Sequence, residues 1–175
     1  DIFVQFRIKH TQNAYLIGNY LDLGPCGIEV PQTELDSTVE EAQQAFYYPP
    51  DGGRSYGGRA RRESEGKDPE IYSTWWNRFG VLWVQIESIE ATTRAHLWAE
   101  RFPGVDCVSI GPTDLMFNIK SHPRHALQSV DKCIEFLGKS LQGKNMQICH
   151  RNGTSETRKK YADLGVTVFL ESPKV

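Results

Sequence analysis

Six short runs of β-branched and aromatic residues, each parted from the next by a stretch with helical spacing, constrain this chain more than any other feature. From Ile2 to Ile8 the residues alternate, with Phe3, Gln5 and Arg7 on one face and Val4, Phe6 and Ile8 on the other, as in a strand. Asn13 to Leu23 reads as a helix stopped by Gly24-Pro25, and Gly27 to Pro31 as a second strand. Ser37 stands at the start of a capped helix that Pro49-Pro50 ends, and the polar segment Arg61 to Glu70 reads as an exposed loop. Val81 to Glu87 is the most strand-like stretch, and residues 89–101 look helical behind the potential cap Ser88. Strand 106–110, a helix whose apolar face carries Ala126, Val130, Cys133, Ile134 and Leu137, strand Asn145–His150, helix Thr154–Leu164 and strand Val166–Leu170 complete the order. Such alternation implies a parallel sheet with helices packed outside it. Counting strands does not separate an open sheet from a barrel.

The chain has 175 residues, 39% of them hydrophobic and 24% charged, which suits one globular domain with a real core. The net charge of -2 argues against nucleic acid as a partner, because the nearest basic patch, Arg59, Arg61 and Arg62, is diluted by Glu63 and Glu65. No apolar run approaches the roughly 18 residues of a membrane span, and Asp1 to His10 lacks the pattern of a signal peptide. Cys26, Cys107, Cys133 and Cys149 show no close pairing, so free thiols and a cytoplasmic setting are expected. Asn152-Gly153-Thr154 fits the glycosylation acceptor pattern, but nothing else indicates secretion.

Chemistry in an α/β protein collects at the carboxyl ends of strands. There Gln85 and Glu87 share a face, and a second apolar strand runs into the turn Gly111-Pro112-Thr113-Asp114. Read from the residues alone, Glu87 is first a solvated strand end and Asp114 a helix cap, and a metal pair only second. His122 and His125 have metal-like spacing, but Pro123 and the following helix favour capping. Cys149 and His150 point to opposite faces of their strand, which speaks against a catalytic pair. No glycine fingerprint supports a doubly wound nucleotide-binding fold.

Four motifs, in order, carry a resemblance. They are Leu21-Asp22-Leu23-Gly24 with Val30-Pro31; Tyr48-Pro49-Pro50 with Gly53-Arg54 and Gly57; Val84-Gln85-Ile86-Glu87; and Ile110-Gly111-Pro112-Thr113-Asp114-Leu115. Together they resemble the HpcH/HpaI aldolase family, metal-dependent (class II) enzymes of the phosphoenolpyruvate/pyruvate superfamily. The resemblance implies a (β/α)8 TIM barrel, of which residues 1–175 form a single partial domain holding barrel strands three to eight. Strands one and two, with a proton-transferring histidine, are expected before Asp1 and a final helix after Val175, since a full barrel takes about 250 residues.

The same resemblance implies the site. Glu87 and Asp114 match the carboxylates that bind a divalent ion (Mg2+, Mn2+ or Co2+), a hard cation that leaves positions for substrate and water. That ion would act as a Lewis acid on a pyruvate-like 2-oxo acid and stabilise its enolate. Arg7 matches the arginine that steadies the enolate oxygen. Asp22 matches an acid paired with the missing histidine. Gln85 matches a residue beside the oxo acid, and Gly111, Pro112 and Thr113 a turn whose amides receive its carboxylate. Arg54 and Gly57 belong to a loop suited to anions or to a tight bend.

The implied activity is reversible aldol cleavage of 4-hydroxy-2-oxo acids to a 2-oxo acid and an aldehyde, with oxaloacetate decarboxylation as a companion, in a cytoplasmic homo-oligomer (hexameric in the family). Met146-Gln147, Ser172-Pro173-Lys174 and Pro31-Gln32 depart from the family's pattern and bear on acceptor choice and on activity, whereas Thr113, where the family prefers alanine, adds a hydroxyl the turn tolerates. The alternative is an inactive or incomplete barrel serving as a structural or interaction partner.

Overall fold

The computed structural model describes residues 2–57, 61–151 and 154–172. Gly58 and Arg59 of the glycine-rich stretch, Asn152 and Gly153 of the acceptor pattern, and Pro173 and Lys174 lie outside the described residues. Six parallel strands, β1 (Gln5–Arg7), β2 (Gly27–Val30), β3 (Val81–Ile86), β4 (Cys107–Ile110), β5 (Gln147–Arg151) and β6 (Val168–Leu170), pair strictly in chain order. A doubly wound sheet reverses its order at a switch point. Here each crossover steps the same way, so right-handed connections place every helix on one face and the sheet curls into a parallel half-barrel.

Those helices are α1 (Ile17–Leu21), α2 (Asp36–Phe46), α3 (Pro69–Phe79), α4 (Ile89–Arg101), α5 (Pro112–Ser121), α6 (Val130–Ser140) and α7 (Ser155–Asp163). The core lies between them and the convex face of the sheet. Ile28, Val30, Leu82, Val84, Ile86 and Val108 are fully buried there against Phe46, Trp76, Trp98, Ile134 and Leu137. Each such side chain contributes about 1.5–3 kcal/mol of burial. The alternate residues, Glu29, Trp83, Gln85 and Ser109, turn to the concave face by the period of two.

Several elements differ from the sequence reading. The expected order held no helix where α5 follows β4, and α6 begins at Val130, which leaves Ala126 exposed before it and off the apolar face. The first helical stretch is a 3-10 segment, Thr11–Leu16, capped by the His10 ring, followed by the short α1. Ser37 is not the cap of α2, which begins at Asp36 behind Leu35. The acid that might have capped it is used elsewhere: Asp36 accepts from Trp98 Nε1 at 2.8 Å and pairs with Arg94 and Arg101 of α4. The exposed loop expected up to Glu70 ends earlier, at Asp68. The Asp68 carboxylate accepts from the Glu70 and Ile71 amides at 2.9 and 3.3 Å, Pro69 takes the first helical position, and Tyr72 and Trp76 seal α3 into the core. Gly80 follows α3 with an extended backbone, and a Cβ there would strike the Phe46 ring at 2.7 Å.

Other expectations held. Ser88 caps α4 through the Ala91 amide. The helix expected from Thr154 is present as α7, and the structure adds a reciprocal cap between Thr154 and Thr157. The four cysteines are free and buried. Among the described residues no helix is long and apolar enough to cross a membrane.

Candidate active site

The carboxyl ends of β1, β3 and β4 meet at one rim. Arg7 is the last residue of β1, Gln85 lies one residue before the end of β3, and Glu87 follows it directly. The Arg7 guanidinium donates from Nε to Gln85 Oε1 at 2.8 Å and from Nη2 to Glu87 Oε1 at 3.4 Å. The three side chains therefore form one connected group, on the face that alternation predicts. Glu87 is buried, and its second oxygen, Oε2, is buried with no hydrogen-bond partner among the described residues. Burial pushes its carboxyl above the ordinary glutamate value and the Asp114 charge adds to this, while Arg7 and the Gln32 main chain pull the other way.

Gly111 follows β4 and caps α5, tied to β3 by its amide on the Ile86 carbonyl at 2.9 Å. Its backbone is ordinary (φ -90°), so freedom of rotation is not what calls for glycine. Space is. A Cβ at this position would lie 2.6 Å from Glu87 Cγ and 2.8 Å from Oε1. Pro112 opens α5, and Thr113 and the exposed Asp114 complete its first turn. A helix start with acid in its first turn is electrostatically favourable on its own. What sets this one apart is that Asp114 acts on a buried carboxylate from another strand.

The structure does not bring Asp22 to this rim. It follows α1 on the way to the amino end of β2 and accepts from Arg54 Nη2 at 2.7 Å. Arg54 is fully buried between the rings of Tyr48 and Trp76, at 4.8 and 4.7 Å, so its loop is packed and charge-paired. Gly57 lies beside Asp22, where a Cβ would sit 3.5 Å from Oδ2. His122 and His125 act as local caps: His122 Nδ1 lies 2.8 Å from the Asn118 carbonyl, and His125 Nδ1 accepts from the Leu127 amide at 3.1 Å. His150 points away from Cys149 and packs on Tyr161 at 4.3 Å.

One residue of this region escaped the sequence reading. Glu29, buried on the concave face, accepts from the Ser109 hydroxyl. The signal was present, because alternation in Gly27–Val30 sets Glu29 opposite the apolar Ile28 and Val30.

Among the described residues no group of three or more His, Cys, Asp or Glu could hold a metal ion. What the rim offers instead is a pair of carboxylates, one carrying a buried oxygen without a partner. A cation with most of its positions left to substrate and water fits that donor set.

Comparison with known proteins bears on the family and the fold. Residues 3–172 match the family described as HpcH/HpaI aldolase/citrate lyase. The chain is 31% identical over 155 residues to a hydroxypyruvate/pyruvate aldolase of Deinococcus radiodurans, covering 89% of this chain and 56% of that protein. It is 36% identical over 103 residues to a hydroxypyruvate/pyruvate aldolase of Delftia acidovorans, covering 59% of this chain and 38% of that protein. The crystal structure of an HpcH/HpaI aldolase from Desulfitobacterium hafniense superposes with a TM-score of 0.81 at 22% identity, over 98% of this chain and 66% of that one, and so shares the fold. The chain thus spans about half, or less, of the length of these curated relatives. With four motifs in order, a matching half-barrel and a family match over nearly its whole length, the chain belongs to the HpcH/HpaI aldolase/citrate lyase family.

Proposed function

We propose that the protein is a divalent-metal-dependent carbon–carbon lyase that cleaves 4-hydroxy-2-oxo acids to pyruvate or a related 2-oxo acid and an aldehyde, and that also decarboxylates oxaloacetate. The observation that carries this reading is the Glu87 carboxylate, buried against Gly111 with Oε2 unpartnered and flanked by Arg7 and Asp114. Arg7 reaches only Oε1, so the burial of Oε2 stays costly unless a cation completes the carboxylate. The names of the curated relatives, aldolases of pyruvate and hydroxypyruvate, favour the same chemistry over an inert partner protein.

In this reading Glu87 and Asp114 hold Mg2+, Mn2+ or Co2+. When bound, the ion supplies Lewis acidity at the keto oxygen of the 2-oxo acid. Arg7 contributes a fixed positive charge beside that oxygen, and its bond to Gln85 holds the guanidinium in place without reorganisation. Gln85 has its amide nitrogen left to orient the oxo acid, and the Pro112–Asp114 turn receives the substrate carboxylate on main-chain amides. The six strands are read as strands three to eight of a (β/α)8 barrel, in a cytoplasmic homo-oligomer, and Asp22 as an acid of the wider site.

The test is pyruvate release from 4-hydroxy-2-oxo acids with Mn2+, Mg2+ or Co2+ added back after chelation. Turnover should need the ion and should collapse in Glu87→Gln. Full turnover in excess EDTA would refute the metal role, and no release with any of the ions would refute the lyase.

A further inference from the structure

Two of the described residues other than glycine have left-handed backbones, Gln32 (φ 45°) and Glu63 (φ 58°). Glu63 lies in the polar loop before α3, away from any strand end. Gln32 lies at the rim. It stands two residues beyond Val30, the register partner of Val84, so continuing the register sets it level with Ile86, the residue before Glu87. β2 runs between β1 and β3, so the chain leaving it passes between Arg7 and the two residues that Arg7 reaches, Gln85 and Glu87. The Gln32 main chain favours the ionised Glu87 carboxyl, as a donor amide facing it does.

A left-handed backbone is unfavourable for glutamine, because its Cβ crowds the following carbonyl oxygen. Such a conformation persists only where the surroundings fix it. Here they fix it from both sides. Pro31 is buried before the turn, and Thr33 is fully buried after it. The Thr33 amide donates to the Gln85 carbonyl at 3.0 Å and its hydroxyl to the Val30 carbonyl at 3.0 Å. The first bond docks the turn on β3, and the second closes it back on β2. The Gln32 side chain takes no share in this anchoring, since it is exposed.

We propose that Gln32 is a positioning residue of the ion site, steadying the Glu87 carboxylate through its left-handed main chain and not through its side chain. The inference rests on the metal-dependent reading above. Carboxylates that ligate a cation are commonly held by a further hydrogen bond from behind, and losing that support costs about 10–100-fold in metal affinity or activity. Arg7 steadies Oε1 from β1, and the Gln32 turn backs the carboxylate from β2, leaving Oε2 for the cation.

Substitutions at this one position separate main chain from side chain. Gln32→Val adds β-branching, which resists a left-handed φ and drives the turn toward extended backbone. Mn2+ binding to the chelator-treated protein, read by electron paramagnetic resonance, should weaken by about 10-fold or more. Gln32→Gly deletes the whole side chain but favours the left-handed conformation, so it should recover most of that loss, and Gln32→Asn should do the same. Thr33→Val, which removes the hydroxyl that closes the turn on Val30, should weaken Mn2+ binding in the same direction. It takes the place of Gln32→Val if melting of the ion-free variants shows that Gln32→Val does not fold. Wild-type affinity in the variant so used would overturn the role of Gln32. Gln32→Gly binding as weakly as that variant would overturn it too, by placing the effect on the side chain. Either result leaves the metal reading standing, because the wild type still binds the ion. A wild-type protein that binds none of Mn2+, Mg2+ or Co2+ would overturn the metal reading and this inference with it.

Discussion

The contact between Gly111 and Glu87 makes Gly111→Ala a perturbation that joins the fold to the site. An added Cβ would sit 2.6 Å from Glu87 Cγ and 3.1 Å from Cδ. Carbon atoms pack at about 3.5–4.0 Å, so one side must yield by about 1 Å. Gly111 is anchored to β3 by its amide and holds the Leu115 amide at 3.0 Å, so the Glu87 side chain is the part that moves. Overpacking of this kind costs about 1–3 kcal/mol. For a domain of this size each kcal/mol lowers the melting temperature by about 2–4 °C, so a loss on the order of 2–12 °C is expected. The site should suffer more than the fold, since a displacement of about 1 Å in a positioned group can cost on the order of 100-fold in rate. Calorimetry on the ion-free protein reads the first effect, and Mn2+ titration with a cleavage assay reads the second. Thr113→Ala, two residues on at an exposed position, should stay within about 0.5 kcal/mol and serves as the control. A Gly111→Ala protein that melts with the wild type would refute the steric argument. One that melts early but keeps full ion affinity and turnover would refute the link between Gly111 and the site.

Two further perturbations probe the scaffold. Arg54→Met should destabilise by about 3 kcal/mol in urea titration, because it leaves Asp22 without its partner and removes a cation from two aromatic faces; a loss below about 1 kcal/mol would show that the pair is dispensable. His150 is buried beneath Tyr161, and burial lowers its pKa below the ordinary 6.5. The unfolded chain therefore binds more protons than the folded one as pH falls below about 6.5, so stability drops through that window. His150→Gln should flatten this loss in melts taken from pH 7 to pH 5, and an unchanged slope would refute it.

Legibility in the sequence followed the range of the interactions involved. The strands were readable because alternation and β-branching are local, whereas Glu87 after β3 and Asp114 in the first turn of α5 stood out only through the family resemblance. The start of α3 was readable in principle from Asp68-Pro69-Glu70, but the polar run before it obscured the signal. The Ser37 cap failed because Asp36 is claimed by Trp98, Arg94 and Arg101, partners about 60 residues away that no local rule can see.

The residue order by itself determined six parallel strands with helices between them and placed Gln85 and Glu87 on one face, since period, capping and turn chemistry act over a few residues. Tertiary structure alone decided that the strands pair in sequence and curl, that Arg7 reaches across to Gln85 and Glu87, and that Gly111 makes room for the Glu87 side chain. It also decided that Asp22 turns to Arg54 and Glu29 to Ser109. These are contacts between side chains of distant strands and loops, and their geometry exists only once the sheet has set the register.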